Sequence, residues 1–136
     1  MADSFTKFKI RMGLRTEQIK RNAEKAVRRA AVAADTWVVL ATPVDTGRAR
    51  ANWLTSIGSI GKETTQDTDG DGTATINAST RKIEQWSLGR GTIYITNSLP
   101  YIGLLDKGSS AQRPEGMTAG AIQAAQHQLD NAHLLK

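Results

Sequence analysis

From Ile19 onward, apolar residues return at three- and four-residue intervals: Ile19, Ala23, Ala26, Val27, Ala30, Ala34, Trp37 and Ala41. This spacing predicts an amphipathic helix of about six turns. Thr16 offers the N-cap, with Glu17 and Gln18 in the first turn, where negative character suits the helix dipole. Lys20, Arg21, Lys25, Arg28 and Arg29 take the opposite side. The helix is expected to stop at Thr42, because Pro43 disfavours helical geometry in the residue before it. Residues 1–15 alternate charged and apolar positions weakly and read as an arm or a short strand.

Beyond the turn the period changes to two. Ala49, Ala51, Trp53, Thr55 and Ile57 share one side of "RARANWLTSI", and Arg48, Arg50, Asn52, Leu54 and Ser56 share the other. That alternation predicts a strand with a largely polar outer side. Residues 58–75 form an exposed polar stretch rich in Gly, Thr and Asp, a long hairpin loop after which "TATINA" resumes β-like content. "STRKIEQWSLG" fits a short helix capped by Ser79 or Thr80, burying Ile83 and Trp86 and ending at Gly89. "TIYITN" is the clearest strand, with Ile93 and Ile95 on one face. "LPYIGLLDKG" fits one short helical turn and "SSAQRPEG" an exposed loop. A last helix is expected from Pro114 or Met117, with Ile122, Ala125, Leu129 and Ala132 as its inner stripe. The fold class is α+β: one domain spanning 1–136, with a long N-terminal and a C-terminal helix packed on a small mixed or antiparallel sheet.

Composition narrows the chemistry. The 136 residues are 39% hydrophobic, but much of that is alanine, so the core is thin. Without cysteine there are no disulfides, no thiolate catalysis and no thiolate metal sites. No apolar run reaches signal-peptide or membrane length, which points to a soluble chain made in a cytoplasm. The net charge of +5 is uneven: residues 1–50 carry eleven Lys/Arg against five Asp/Glu (+6), and residues 51–136 carry seven against eight (−1). A basic front half suits phosphates, an acidic protein partner, or plain solvation.

Two motifs invite chemistry. Val44-Asp45-Thr46-Gly47 matches the aspartic-protease tetrapeptide, and a chain with one copy would have to dimerise to pair two carboxylates. Against that, Arg48 puts a cation beside the shared charge, a long helix precedes the motif, and no supporting apolar-apolar-Gly segment follows. The structural reading accounts for every residue: Pro43 ends the helix, Asp45 accepts the amide of Gly47 or Arg48 in an Asx turn, Thr46 continues the turn, and Gly47 supplies a positive φ. Arg48 and Arg50 then leave on one side of the strand.

The second motif, "DTDGDGTATINA", places Asp67, Asp69, Asp71 and Gly72 at the first, third, fifth and sixth positions of a calcium loop. The bidentate Glu is replaced by Ala78 and no amphipathic helix leads in, so an acidic hairpin tip is the simpler reading. His127 and His133, six apart, face different ways on the last helix. Ser109 and Ser110 lack the surroundings of a nucleophile elbow. No catalytic set, metal site or cofactor site assembles. The cations Arg28, Arg29, Arg48 and Arg50 leave a small basic nucleic-acid-associated protein as an alternative, although no recognition motif is present.

With these residues in view, "TPVDTGRARANW" after an alanine-rich helix resembles the tail-component family of long-tailed bacteriophages. "TIYITNSLPYIGLLDKGSSAQRPEGM" is similar to that family's strand, its Asn…Pro-Tyr turn, its segment ending in Gly-Ser and its Pro-x-Gly-Met approach to a last helix. The likeness covers about residues 16–57 and 90–130 and leaves out the acidic "DTDGDG" stretch. It implies a virion part at the head–tail joint, assembled in the bacterial cytoplasm: a tail-completion, neck or tail-terminator protein without enzymatic activity. It also implies a homo-oligomeric ring, often of six, that touches connector and tail-tube proteins and lies around the DNA channel. On that reading Arg28, Arg29, Arg48, Arg50, Asp67, Asp69 and Asp71 are candidates for interfaces or for non-specific contact with channel DNA.

Overall fold

A computed structural model of the protein describes residues 3–108 and 116–134. Its class is α+β, with seven elements in order: α1 (Ser4–Ala41), α2 (Arg48–Ala51), β1 (Trp53–Ile57), α3 (Thr73–Glu84), β2 (Ile93–Asn97), α4 (Ile102–Asp106) and α5 (Thr118–Asp130). Among the described residues the sheet has two strands, β1 antiparallel to β2, with Trp53 opposite Asn97, Thr55 opposite Ile95 and Ile57 opposite Ile93.

The first helix begins much earlier than its interior stripe suggests. Asp3, not Thr16, is the N-cap, and its carboxylate accepts the Thr6 amide at 2.8 Å. Thr16 sits inside the helix and turns its hydroxyl back onto the Met12 carbonyl at 2.8 Å. The alternation in residues 7–12 therefore does not make a strand. Phe5, Phe8, Met12 and Ile19 extend the same helical face as Ala23, Ala26, Ala30 and Ala34, and nothing between them breaks the helix. At the other end α1 stops at Ala41, before Pro43.

Residues 48–51 are a helical turn, not the start of a strand. Gly47, in the left-handed region at φ 89°, redirects the chain, and the Ala51 amide closes onto the Gly47 carbonyl at 3.1 Å. "TATINA" is likewise helical. Asp71 accepts the Thr73 amide at 2.9 Å and Asp69 the Thr75 amide at 2.8 Å, so α3 starts at Thr73 and not at Ser79. Capping carboxylates outweigh the weak β character of Thr and Ile. Ile83 and Trp86 are buried as the pattern demands, though α3 ends at Glu84, ahead of Gly89.

The core is small. Val38, Val39, Ala41, Met117 and Ala121 form it, with Trp53, Ile76, Ile95, Ile102 and Leu105 packed around them. Helix α5 lies along the second half of α1 through small residues: a Cβ on Gly120 would fall inside the Trp37 ring. Its inner stripe runs through Met117 and Ala121; of the expected stripe Ala125 and Ala132 are half-buried, whereas Ile122 (63% exposed) and Leu129 (44%) border an open hollow between α5, α1 and the sheet and stay largely accessible. Asp106 of α4 receives the Met117 and Thr118 amides at 2.9 and 2.7 Å, setting the start of α5. Partial burial raises the Asp106 pKa, but those two bonds outweigh it and hold the carboxyl below its ordinary value. The "SSAQRPEG" loop, apart from Gly116, lies outside the described residues, as do Ser109, Ser110 and Pro114.

Thr42 links α1 to the sheet. Fully buried, it donates to the Val38 carbonyl at 2.6 Å and accepts the Trp53 indole N–H at 2.8 Å. Thr42→Val keeps the shape but leaves that indole without its acceptor. The change is expected to lower stability by about 1–3 kcal/mol in a denaturant titration followed by tryptophan fluorescence.

Candidate functional site

The turn, the acidic stretch and the paired arginines form one assembly. Arg50, at the end of α2, donates to three carbonyls: Leu40 at 2.9 Å, Thr42 at 3.0 Å and Gly70 at 2.7 Å. Two of these are orphan acceptors at the end of α1, so the guanidinium caps the helix and binds the acidic stretch to it. Arg48 donates to the Thr65 carbonyl at 3.1 Å. Buried Asn52 donates to the same carbonyl at 3.0 Å and accepts the Thr65 amide at 2.8 Å. Residues 58–75 are thus no free hairpin; they are fastened across the turn at Thr65, Asp69 and Gly70.

Gly47 makes that fastening possible. Its carbonyl accepts the Asp69 amide at 3.0 Å, and a Cβ there would stand 2.9 Å from the Gly70 nitrogen. Asp45 does not hold the turn: it is exposed, and the Arg48 amide goes to the Thr46 hydroxyl at 3.3 Å. The hollow around the tetrapeptide includes Pro43, Asp45, Thr46, Tyr101 and Leu105, and among the described residues Asp45 is the only carboxylate lining it.

Calcium-loop geometry is not formed. Asp69 spends one oxygen on the Gly72 amide at 3.1 Å and the other on the Thr75 amide. Slight burial raises the Asp69 pKa, but the bonds from Thr75 and Gly72 more than reverse this and keep it below its ordinary value. Asp71 is committed to Thr73, and Asp67 remains exposed. Among the described residues no three His, Cys, Asp or Glu side chains converge on a common point. His127 lies on α5, whereas His133 follows its end; both are exposed.

The four arginines separate. Arg28 donates its Nε to the Trp86 carbonyl at 2.9 Å, while the Glu24 carboxylate lies 3.7 Å from its guanidinium. Arg48 and Arg50 are taken up by carbonyls, and Arg29 is exposed beside the C-terminal end of α5. No single surface gathers all four.

Sequence reasoning missed Asp35. It is 1% exposed, and neither carboxylate oxygen has a hydrogen-bond partner. The hydroxyls of Ser79 on α3 and Thr55 on β1 stand beside it without reaching bonding geometry, and the Thr55 hydroxyl is itself unpartnered. Burial pushes the Asp35 carboxyl up to about 7, with Ser79 and Thr55 offsetting only part of that effect. An Asp inside "AAVAADTWVVLA" was the available signal. Its helical phase sets it three and four residues ahead of the buried Val38 and Val39, on the side facing α3 and β1.

Two open hollows border the core. A groove of about 870 Å³ runs between β1 and α3, with Thr55 and Ser79 in its wall and Asp67 and Asp69 along it. An apolar hollow of about 370 Å³ lies between α1, the sheet and α5, bordered by Val38, Trp53, Ile95, Ile122 and Leu129. Compared with protein-family models, curated proteins and solved structures, the chain matches none.

Two expectations follow. Gly47→Ala places a side chain at positive φ against backbone and is expected to cost about 1–3 kcal/mol, whereas Asp45→Ala stays within about 0.5 kcal/mol. Thermal melts of the two variants check the pair. For Asp35, the folded state holds a proton that the unfolded chain releases near its ordinary value of 3.8, so stability declines as pH rises from there through about 7. At roughly 1.4 kcal/mol per unit, the full decline is of the order of 4 kcal/mol. Asp35→Asn is expected to remove most of this pH dependence and to melt above the parent at pH 8, with a smaller difference at pH 5 and little at pH 3.5. Parallel melting curves for parent and variant across that range would refute the assignment.

Proposed function

We propose that this chain is a structural virion protein at the head–tail junction of a long-tailed bacteriophage, a tail-completion, neck or tail-terminator part that assembles as a ring. The observation that carries this reading is the quantity of ordered apolar surface the single chain leaves uncovered. Phe5, Phe8 and Met12, in line with the buried Ala26 and Ala30, are each more than half exposed on the first turns of α1, as are Ile10 and Leu14 on its other side, and Ile122 and Leu129 are exposed on α5. Singly exposed apolar residues are ordinary; a file of them continuing a buried stripe marks a contact surface. A core made largely of small side chains fits a subunit stabilised by its neighbours.

The remainder of the reading rests on the motif likeness around Pro43–Trp53 and Thr92–Met117. The hydrogen bonds of that first motif favour a scaffold: Gly47, Arg48, Arg50 and Asn52 bind backbone, and among the described residues Asp45 has no second carboxylate in its hollow. The alternative of a nucleic-acid-associated protein loses support because Arg28, Arg48 and Arg50 spend donors on carbonyls of their own chain.

Mass spectrometry of purified particles is expected to detect the chain, and disruption of its gene should separate full heads from free tails under the electron microscope. Complete, infectious particles lacking the chain would end this reading.

A further inference from the structure

The projecting part of α1 and the groove between β1 and α3 complement one another. Residues 3–16 are exposed throughout, and they carry Lys7, Lys9, Arg11 and Arg15 against Asp3, a net +3. Residues 58–75 carry Glu63, Asp67, Asp69 and Asp71 against Lys62, a net −3. Asp67 and Asp69 line the groove directly, with Lys82 at its α3 side, and Ala74 and Ala78 give its α3 wall a low profile that admits a helix or its side chains. A groove with a negative rim and small apolar walls suits a basic amphipathic segment.

That segment cannot be this chain's own. The carbonyl of Leu134 is bound to Asn22 at 2.7 Å, at the end of the fold from which the first turns of α1 project. From Asn22 to Phe5, an uninterrupted helix advances roughly 25 Å away from the body, at ~1.5 Å per residue. The groove lies in the opposite direction along α1, at the level of Asp35, so roughly 45 Å of continuous helix separates that level from Phe5. Nor do two arms suit one another, because each brings the same surplus of positive charge.

We infer that the α1 arm of one copy, residues 4–15, seats in the β1–α3 groove of a second copy, with Phe5, Phe8 and Met12 toward its apolar walls and Lys9 and Arg11 toward the acidic rim. This deepens the ring reading and rests on self-assembly of the chain. The contact is heterologous: each copy offers an arm at one end and a groove at the other, so successive copies join head to tail and close where the rotation allows.

The full-length chain, which has no cysteine of its own, suits a cross-linking test. Phe8→Cys protein is mixed with Ala78→Cys protein and treated with a short bismaleimide. A covalent dimer between the two variants is expected, with either variant alone giving at most a tenth of the yield. In parallel, Lys9→Glu/Arg11→Glu and Glu63→Lys/Asp67→Lys are each expected to weaken assembly at least tenfold by light scattering, and their mixture to restore it. All four side chains are exposed, so unchanged melting temperatures are expected to accompany the loss. A ring that forms without the Phe8–Ala78 product and ignores the charge reversals overturns this docking while leaving the ring reading intact. Arm-to-arm product, or a chain monomeric at every concentration tested, overturns it as well. Cross-linking in a chain that never enters particles would instead sink the head–tail reading and leave the docking standing.

Discussion

The structure depends on the guanidinium of Arg50. Every α-helix ends with carbonyls that have no partner within the helix, and Pro43 prevents α1 from continuing to meet them. Arg50 returns to the Leu40 and Thr42 carbonyls and also takes that of Gly70. One planar cation therefore terminates the longest helix, fixes the direction of the chain into β1 and fastens the acidic stretch that positions α3. A lysine would bring a point charge where a rigid fork with several donors is needed. Gly47 completes the junction, because only a residue without a Cβ allows Asp69 and Gly70 to lie against the turn.

From that junction follows an unequal distribution of apolar surface. The side chains drawn together by α1, β1, α3 and α5 are mostly small, and among them sits Asp35, a carboxyl that burial keeps protonated up to about neutral pH. The larger hydrophobic side chains Phe5, Phe8, Met12 and Leu14 stand on the arm, in water. Burying a side chain of that size is worth about 1.5–3 kcal/mol, so an interface that covers several of them would stabilise the subunit appreciably against its marginal core. The proposed virion role suits this arrangement, since a subunit of that kind works only in its assembly.

The acidic stretch illustrates how one set of residues supports several readings until its hydrogen bonds are known. Asp67, Asp69 and Asp71 have the spacing of a cation loop, yet Asp69 and Asp71 serve as acceptors for the first amides of α3. Both uses exploit the same property, an oxygen-rich short side chain next to glycine. What separates them is whether a helix begins at Thr73, and the helix dipole together with four free amides favours carboxylates there.

Much was legible in the chain itself. The period of Ile19 to Ala41, the stop before Pro43, the Gly47 turn, the strand Ile93–Asn97 and the short α4 all follow from local stereochemistry that distant contacts do not reverse. Other features were decided only by tertiary structure. Residues 7–12 satisfy a period of two and a period of 3.6 equally well, and Asp3 with the downstream helix selects the second. "RARA" and "TATINA" became helical through Gly47, Asp69 and Asp71 and the contacts of their own turns. The partners of Arg28, Arg48 and Arg50 are carbonyls brought close by folding, which no spacing along a sequence encodes. Asp35 was visible as a charge in an apolar run, but its burial without a partner depends on where Thr55 and Ser79 come to rest. Local geometry is written in neighbouring residues; the use of a polar side chain is set by whichever groups the fold brings within three ångströms of it.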